Sequence, residues 1–476
     1  MKKRMIVNYL IAVTFLIFFT GCSKNKNGKT TTTTTNTPTT EHVHEFGEWM
    51  EISKPTCSEE GFRKRVCSCG IAQTEIIPTV DHDYVNDKCK VCKHERLTEG
   101  FNVYYQEDDD LYHINDYTGS STTVRIPYLY DDGTNGEHKL YIDREFVEGE
   151  YESSLKDCNI EKIIIGSGYE TIGKNMFSGL NNLLEVVIEA DAKLIEDNAF
   201  YNCPKLETVT FNDDLEQIGF YAFAKCNFNS VSLPYYLKKI GAGAFSDNTE
   251  LSTISYYYLT EIGDNAFNNT ALENIRIPYS LTYFGFQGKM SSLINFNIDS
   301  RNTIFEFKDG CLINKETNSL VKCISGATIP DNIVELYPYS LSYLDLSSIT
   351  KVIIPDSVKN IGYRTFYNTK VNDIDFGKVE VIEENALTNI IFTNADEVTI
   401  TLPETILEIE FHAFQELECN EIILPLSVEV VGYAIFEDCV INSIKIHSTT
   451  LGLEDCDQNW DYGIDDETTT ITIIED

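Results

Sequence analysis

Apolar positions along most of the chain follow a phrase that returns every twenty-odd residues. It reads Ile172-Gly173-x3-Phe177, Ile195-Glu196-x2-Ala199-Phe200, Ile218-Gly219-x2-Ala222-Phe223, Ile240-Gly241-x2-Ala244-Phe245 and Ile262-Gly263-x2-Ala266-Phe267. The phenylalanines are 23, 23, 22 and 22 residues apart. A second block carries Ile361-Gly362-x3-Phe366, Ile382-Glu383-x2-Ala386-Leu387, Ile409-Glu410-x2-Ala413-Phe414 and Val431-Gly432-x3-Phe436. Each phrase is followed by a short strand pattern with apolar residues at its first, fourth and sixth positions, as in Leu206, Val209 and Phe211 or Leu272, Ile275 and Ile277. Alternation turns the fourth and sixth inward and the third and fifth outward. Proline then often ends the strand, at Pro234, Pro278, Pro355, Pro403 and Pro425. A unit of this length cannot bury its apolar side alone, so neighbours must stack, and the pattern predicts a repeat solenoid.

The first hundred residues break this pattern. Lys2 to Arg4 precede an apolar run from Met5 to Phe19, about 15 residues, which is short for a bilayer span of about 20 and predicts a secretory signal over residues 1–21. The run ends in Phe19-Thr20-Gly21-Cys22, which resembles a bacterial lipobox and so implies lipidation at Cys22. Residues 22–41 follow as a tether, since nine of the eleven residues from Thr30 to Thr40 are Thr and such a stretch cannot offset the entropy of its own ordering.

Between positions 42 and 98 the chemistry changes again. His42, His44, His82 and His94 make up four of the 8 His, and Cys57, Cys67, Cys69, Cys89 and Cys92 five of the 14 Cys. Modules this small rarely fold on an apolar core, so either disulfides or a metal must hold them. An odd cysteine count, with Cys67-x-Cys69-Gly70 and Cys89-x2-Cys92 spaced like ligand-bearing knuckles, favours structural zinc over disulfides. One partition groups His44, Cys57, Cys67 and Cys69, with His82, Cys89 and Cys92 repeating the order; the other joins Cys67, Cys69, Cys89 and Cys92. The segment resembles a His/Cys-rich module of exported surface proteins from Gram-positive anaerobes, on His44-x-Phe46-Gly47-Glu48-Trp49 and Thr56-Cys57-x3-Gly61.

From residue 99 to 476 the solenoid takes over, with a hairpin insertion expected near 300–330. Its unit, Ile-Pro-x2-Val/Leu-x2-Ile-Gly-x2-Ala-Phe-x2-Cys/Asn-x2-Leu-x2-Val/Ile-x-Leu/Ile, resembles the BspA-like leucine-rich repeats of bacterial surface proteins over roughly residues 110 to 476. The resemblance implies parallel β-strands on the concave face, short turns or helical segments on the convex face, adhesion to host or matrix proteins or to glycans, and no catalytic activity.

Composition narrows the partners. Lys and Arg number 37 against 75 Asp and Glu, a net charge of −38, which is unsuited to nucleic acid or to an anionic membrane surface. Any membrane association would run through the lipid anchor alone. The chain has no phosphate-cradling glycine loop, no His-Glu-x2-His and no Gly-x-Ser-x-Gly, and His113, His138, His412 and His447 lie in different units. An enzyme is therefore not expected. The acidic run around Glu454 and Asp461 lacks the spacing of an EF-hand loop.

Candidate contact residues stand just past the strands. Tyr235, Tyr257 and Tyr279 recur every 22 residues, accompanied by Tyr236 and Tyr258, and equal spacing stacks such side chains on adjacent coils. The resulting aromatic ladder either packs within the solenoid or serves as a contact strip for an extracellular protein or glycan. Carbohydrate binding and a passive coat role are the alternatives to protein adhesion. Cys203, Cys226 and Cys439 each follow a repeat phenylalanine by three residues, where Leu180, Asn248 and Thr270 also occur, which asks only for a small buried residue. If residues 315–319 turn a hairpin, Cys311 lies opposite Cys323, close enough for a disulfide; otherwise both are free thiols.

Overall fold

A computed structural model describes residues 44–475, apart from 148–149, 452–456, 458 and 465–468. The signal segment, Cys22, the tether, His42 and most of the acidic run at 454–467 lie outside the described residues. By internal packing the chain divides after Val80.

The first unit is a three-stranded antiparallel meander, β1 (Met50–Ser53), β2 (Gly61–Val66) and β3 (Ala72–Ile77), with Gly61 opposite Ile77 and Met50 opposite Lys64. All of β1 and all but the last residue of β3 are exposed. Cys67 is the sole buried hydrophobic residue among those described in this unit. The rest of its packing is cationic on aromatic: the guanidinium of Arg65 lies 4.6 Å from the Trp49 ring centre and 5.1 Å from that of Phe46.

The second unit begins with a small hairpin, β4 (Tyr84–Val85) and β5 (Lys88–Cys89), turned by Asn86 and Asp87 in the left-handed conformation that a two-residue hairpin requires. A β-solenoid of about 13 turns and almost no helix follows. Successive coils pair in register and in parallel: Val124, Ile163, Val186 and Val209 are neighbours along one sheet of strands Thr123–Ile126, Lys162–Ile165, Glu185–Ile188 and Thr208–Thr210. The expected alternation holds in later coils, where Val231 is buried between exposed Ser230 and Ser232, and Ile275 and Ile277 are buried while Asn274 and Arg276 are exposed. In Thr123–Ile126 and Lys162–Ile165 it fails, since Arg125 and Ile164 are buried as well.

Each coil also carries a second strand that the sequence pattern does not reveal. The isoleucine of the Ile-Gly pair, with the residue before it, forms a two-residue strand, and six of these make one parallel sheet from Thr171–Ile172 to Tyr283–Phe284. Two residues are too few to show a period of two. The close stacking explains the glycine that follows, since a Cβ at Gly241 would come within about 2.6 Å of the Gly219 carbonyl carbon one coil back.

Between the two sheets runs a turn segment instead of the helical alternative. Among the described residues the only helical pieces are Ala395–Glu397 and Ser448–Leu451. The turn holds the repeat phenylalanine inward, where Phe177, Phe200, Phe223 and Phe245 stack with ring centres 5.1–5.6 Å apart, and the amide of Phe200 donates to the carbonyl of Ala222 at 2.8 Å. Two residues four apart in each turn are left-handed: Asn175 and Gly179, Asn198 and Asn202, Tyr221 and Lys225, Gly243 and Asp247, Asn265 and Asn269. Asn and Gly adopt that conformation at least cost.

The insertion is a three-stranded antiparallel sheet, Phe305–Lys308, Cys311–Asn314 and Ser319–Cys323. Cys311 pairs with Cys323 and the two are joined by a disulfide. It separates two apolar cores: Leu312 and Val321 face the first, while Cys311, Ile313, Leu320 and Cys323 face the second. Lys322 is fully buried at this partition, its Nζ donating to the carbonyls of Gly288, Tyr339 and Ser342 at 2.8–3.1 Å.

Candidate functional site

Two groups of sulfur and nitrogen donors form on tight turns. In the first unit an antiparallel bridge between Phe46 and Cys67 brings the chain before β1 alongside the end of β2. Cys67 to Gly70 then make a turn closed by the Gly70 amide on the Cys67 carbonyl at 2.8 Å, with Gly70 left-handed. The donor atoms of His44, Cys67 and Cys69 consequently lie within 4.8 Å of one another, with His44 Nδ1 3.2 Å from Cys69 Sγ. The backbone N–H and side chain of Cys69, together with His44, draw the Cys67 thiol down to about 6, towards the thiolate that binds metals. Cys57 stands apart from this trio, half-buried in the turn between β1 and β2 that the Thr56 amide closes on the Glu59 carbonyl.

In the second unit the β4–β5 hairpin presents Cys89, which is buried, and a further turn brings Cys92 beside it: the Lys93 amide donates to the Cys89 carbonyl at 3.1 Å, and the Cys89 amide to that of His94 at 2.8 Å. His82 Nδ1 lies 3.3 Å from Cys92 Sγ, and the donors of His82, Cys89 and Cys92 are again within 4.8 Å of each other. The ring of His94 stacks on that of His82 at 4.9 Å, and its Nδ1 is 2.8 Å from the Tyr84 hydroxyl. The two knuckles thus fall into different groups, each a mixed set of thiol and imidazole donors of the kind that suits a tetrahedral metal.

The second knuckle is fastened to the first coils by a buried ion network. Arg125 is 3% exposed; its guanidinium makes a forked pair with Glu189, both contacts 3.0 Å, reaches Glu95 at 3.3 Å, and donates through Nε to the Asn86 carbonyl at 2.8 Å. Lys88 joins the same two carboxylates at 2.9 and 2.6 Å. Arg125, with Lys88, holds the Glu189 carboxyl at about 2, well below the usual glutamate range.

The tyrosines form a surface patch, not a single file. Tyr235 and Tyr257 stack at 5.2 Å with their planes 29° apart. Continuation to the next coil passes through Tyr258, which meets both Tyr235 and Tyr279 edge-on at 5.3 and 5.7 Å, while Tyr236 lies edge-on to Tyr235 at 5.0 Å. Tyr235, Tyr236, Tyr257 and Tyr279 are 38–63% exposed. Two arginines cover the patch on one side, Arg276 over Tyr257 at 5.4 Å and Arg301 over Tyr279 at 4.4 Å, with Arg301 paired to Asp299 at 2.8 Å. Arg276 was legible as an outward strand position; nothing in the repeat pattern marks Arg301.

Cys203, Cys226 and Cys439 are buried, and each thiol donates to the carbonyl of a phenylalanine one coil back, Phe177, Phe200 and Phe414, at 3.0–3.3 Å. Asn248 makes the equivalent bond to Phe223 at 2.8 Å. Leu180 and Leu417 are buried at the same position, so a donor there bonds to the preceding coil where one is present but is not required.

Comparison with known proteins agrees with this architecture. The family model described as BspA type leucine rich repeat region (6 copies) matches residues 147–227, 216–342, 318–391 and 386–456. Among solved structures, a leucine rich cell surface protein from Faecalibacterium prausnitzii A2-165 is 21% identical, with a TM-score of 0.59 over 77% of this chain and 99% of its own. The pneumococcal vaccine antigen PcpA is 18% identical, with a TM-score of 0.54 over 78% of this chain and 91% of its own. No curated protein sequence matches.

Proposed function

The chain belongs to the BspA-type leucine-rich-repeat family, and from that premise we propose that it is a cell-surface lipoprotein, anchored through Cys22, which presents its solenoid for adhesion to extracellular host or matrix proteins. The observation that carries the adhesion role is the exposed patch of Tyr235, Tyr236, Tyr257, Tyr258 and Tyr279 with its two arginines. Aromatic and arginine side chains in a cluster are the residues that dominate protein recognition, because they contribute large rigid area and a polar tip together. Most of these rings stay in solvent, so packing within the coil leaves much of their surface unused. Surface exposure is supported by the export-like N-terminus and by a structural neighbour described as a cell surface protein.

In this proposal the Cys/His segment holds structural zinc, with His44, Cys57, Cys67, Cys69, His82, Cys89 and Cys92 as the candidate ligands. Their part is to hold the segment between tether and solenoid.

Joint replacement of Tyr235, Tyr257 and Tyr279 by Ser tests the docking role against a panel of purified matrix proteins. Affinity for the retained partner should fall at least tenfold with little change in melting temperature. A lower melting temperature with unaltered affinity would refute it.

A further inference from the structure

The coil containing Phe223 departs from its neighbours at both left-handed positions. Where other coils of the first block place Asn, Gly or Asp, it places Tyr221 and Lys225, at φ 51° and 56°. Neither residue is a favoured occupant of that conformation. The ring of Tyr221 lies over Gly243 of the next coil, where any Cβ would collide with it. Its edge meets the ring of Phe220 at 4.5 Å, and Phe220 is 48% exposed with no polar tip to explain its place in solvent. These rings, with Tyr201, line a groove of about 570 Å³ on the turn side of the solenoid, within the usual size range of small-ligand sites.

A buried polar group opens onto the same groove. Ser246 is 1% exposed and its Oγ has no protein hydrogen-bond partner. At the equivalent position three coils earlier, Ser178 donates to the Tyr201 carbonyl at 3.2 Å, so the turn is able to satisfy a serine there and does not do so for Ser246. Buried hydroxyls are nearly always paired, and an orphan in a groove wall marks a place for a ligand's polar atom.

We propose that this groove binds an oligosaccharide. A pyranose presents a C–H face that stacks on flat rings such as Phe220 and Tyr221, and a rim of hydroxyls that both donate and accept. The wall answers that rim with the amide of Asn198, the ammonium of Lys225 and the hydroxyl of Ser246. A peptide that binds by strand addition is excluded, because the two-residue strands of these coils are already paired on both sides. The site goes beyond the adhesion role of the tyrosine patch and uses none of its residues.

The test is a glycan array of neutral and acidic oligosaccharides probed with the full chain, followed by titration of the shortest oligosaccharide retained. Phe220→Ala should weaken that binding at least tenfold. Ser246→Ala should weaken it three- to tenfold while leaving the melting temperature unchanged or raised, since the lost hydroxyl has no protein partner. Tyr235→Ser should bind as the parent does. The proposal is overturned if no oligosaccharide is retained, if Phe220→Ala binds as tightly as the parent, or if the loss follows Tyr235→Ser instead.

Discussion

The solenoid and the meander before it are folded by different forces. From Phe177 to Phe267 each coil adds a phenylalanine to one stack and apolar residues to two strand ladders, and the rings of Phe200, Phe223, Phe245 and Phe267 are wholly out of water. Burial of a side chain of that size is worth about 1.5–3 kcal/mol, and the coil repeats it many times. The meander of β1 to β3 buries one apolar side chain, Cys67, and exposes nearly all of its outer strands. Its hydrogen-bonded ladder is sound, yet three strands without an apolar face are marginal in water. A long chain can thus hold a well-filled repeat and a segment with almost no core, provided the second is clamped by something other than burial.

The sharpest way to break this comparison is to remove the clamp. Elemental analysis of the full chain should find bound zinc, and a strong chelator at neutral pH should abolish the environment of Trp49, read by fluorescence with Trp460 replaced by Phe, while the β-sheet circular dichroism of the solenoid persists. The effect is the largest expected, because metal binding to such sites supplies folding energy of about 10 kcal/mol or more. Protein that contains neither metal nor reactive thiol, or whose Trp49 signal ignores the chelator, contradicts the structural zinc sites.

Phe223→Ala tests the other side. It removes a ring stacked between Phe200 at 5.1 Å and Phe245 at 5.6 Å and opens a cavity in the first core. A loss of about 3–5 kcal/mol is expected from denaturant unfolding, without effect on the Trp49 signal. A loss below about 1 kcal/mol would mean that the stack closes around the gap, and that the coil is less tightly packed than its geometry implies.

Legibility in the sequence follows the same division. The solenoid repeats its message, so the inward phenylalanines and the inward strand residues could be read without knowing how coils connect. What escaped depends on partners one coil away. The second strand ladder is invisible because each member is two residues long, and the donor role of Cys203 is invisible because its acceptor, the Phe177 carbonyl, lies 26 residues upstream. In the knuckle segment spacing marked the donor residues, but the position of Cys57 outside the His44, Cys67 and Cys69 trio is set by turns, which spacing does not encode. The turn-side groove is built by Tyr221, Lys225 and Ser246, each an unremarked variant of a repeat position.

Between these extremes lies the second knuckle, which has both a donor trio and the network around Arg125, and acid should separate the two contributions. Glu189 titrates at about 2 in the folded chain against an ordinary value of 4.5, chiefly because Arg125 and Lys88 favour its charged form. With the folded value below the unfolded one, its contribution is complete above pH 4.5 and is lost as pH falls towards 2. The side chain is 32% exposed, which screens the pair, so the expected loss is about 1–2 kcal/mol. Glu189→Gln should flatten stability in that pH window while leaving the chelator response of the meander untouched. Parallel acid curves for the two proteins would show that the charge of Glu189 does not fasten the knuckle, and that Arg125 is held by Glu95 and the Asn86 carbonyl.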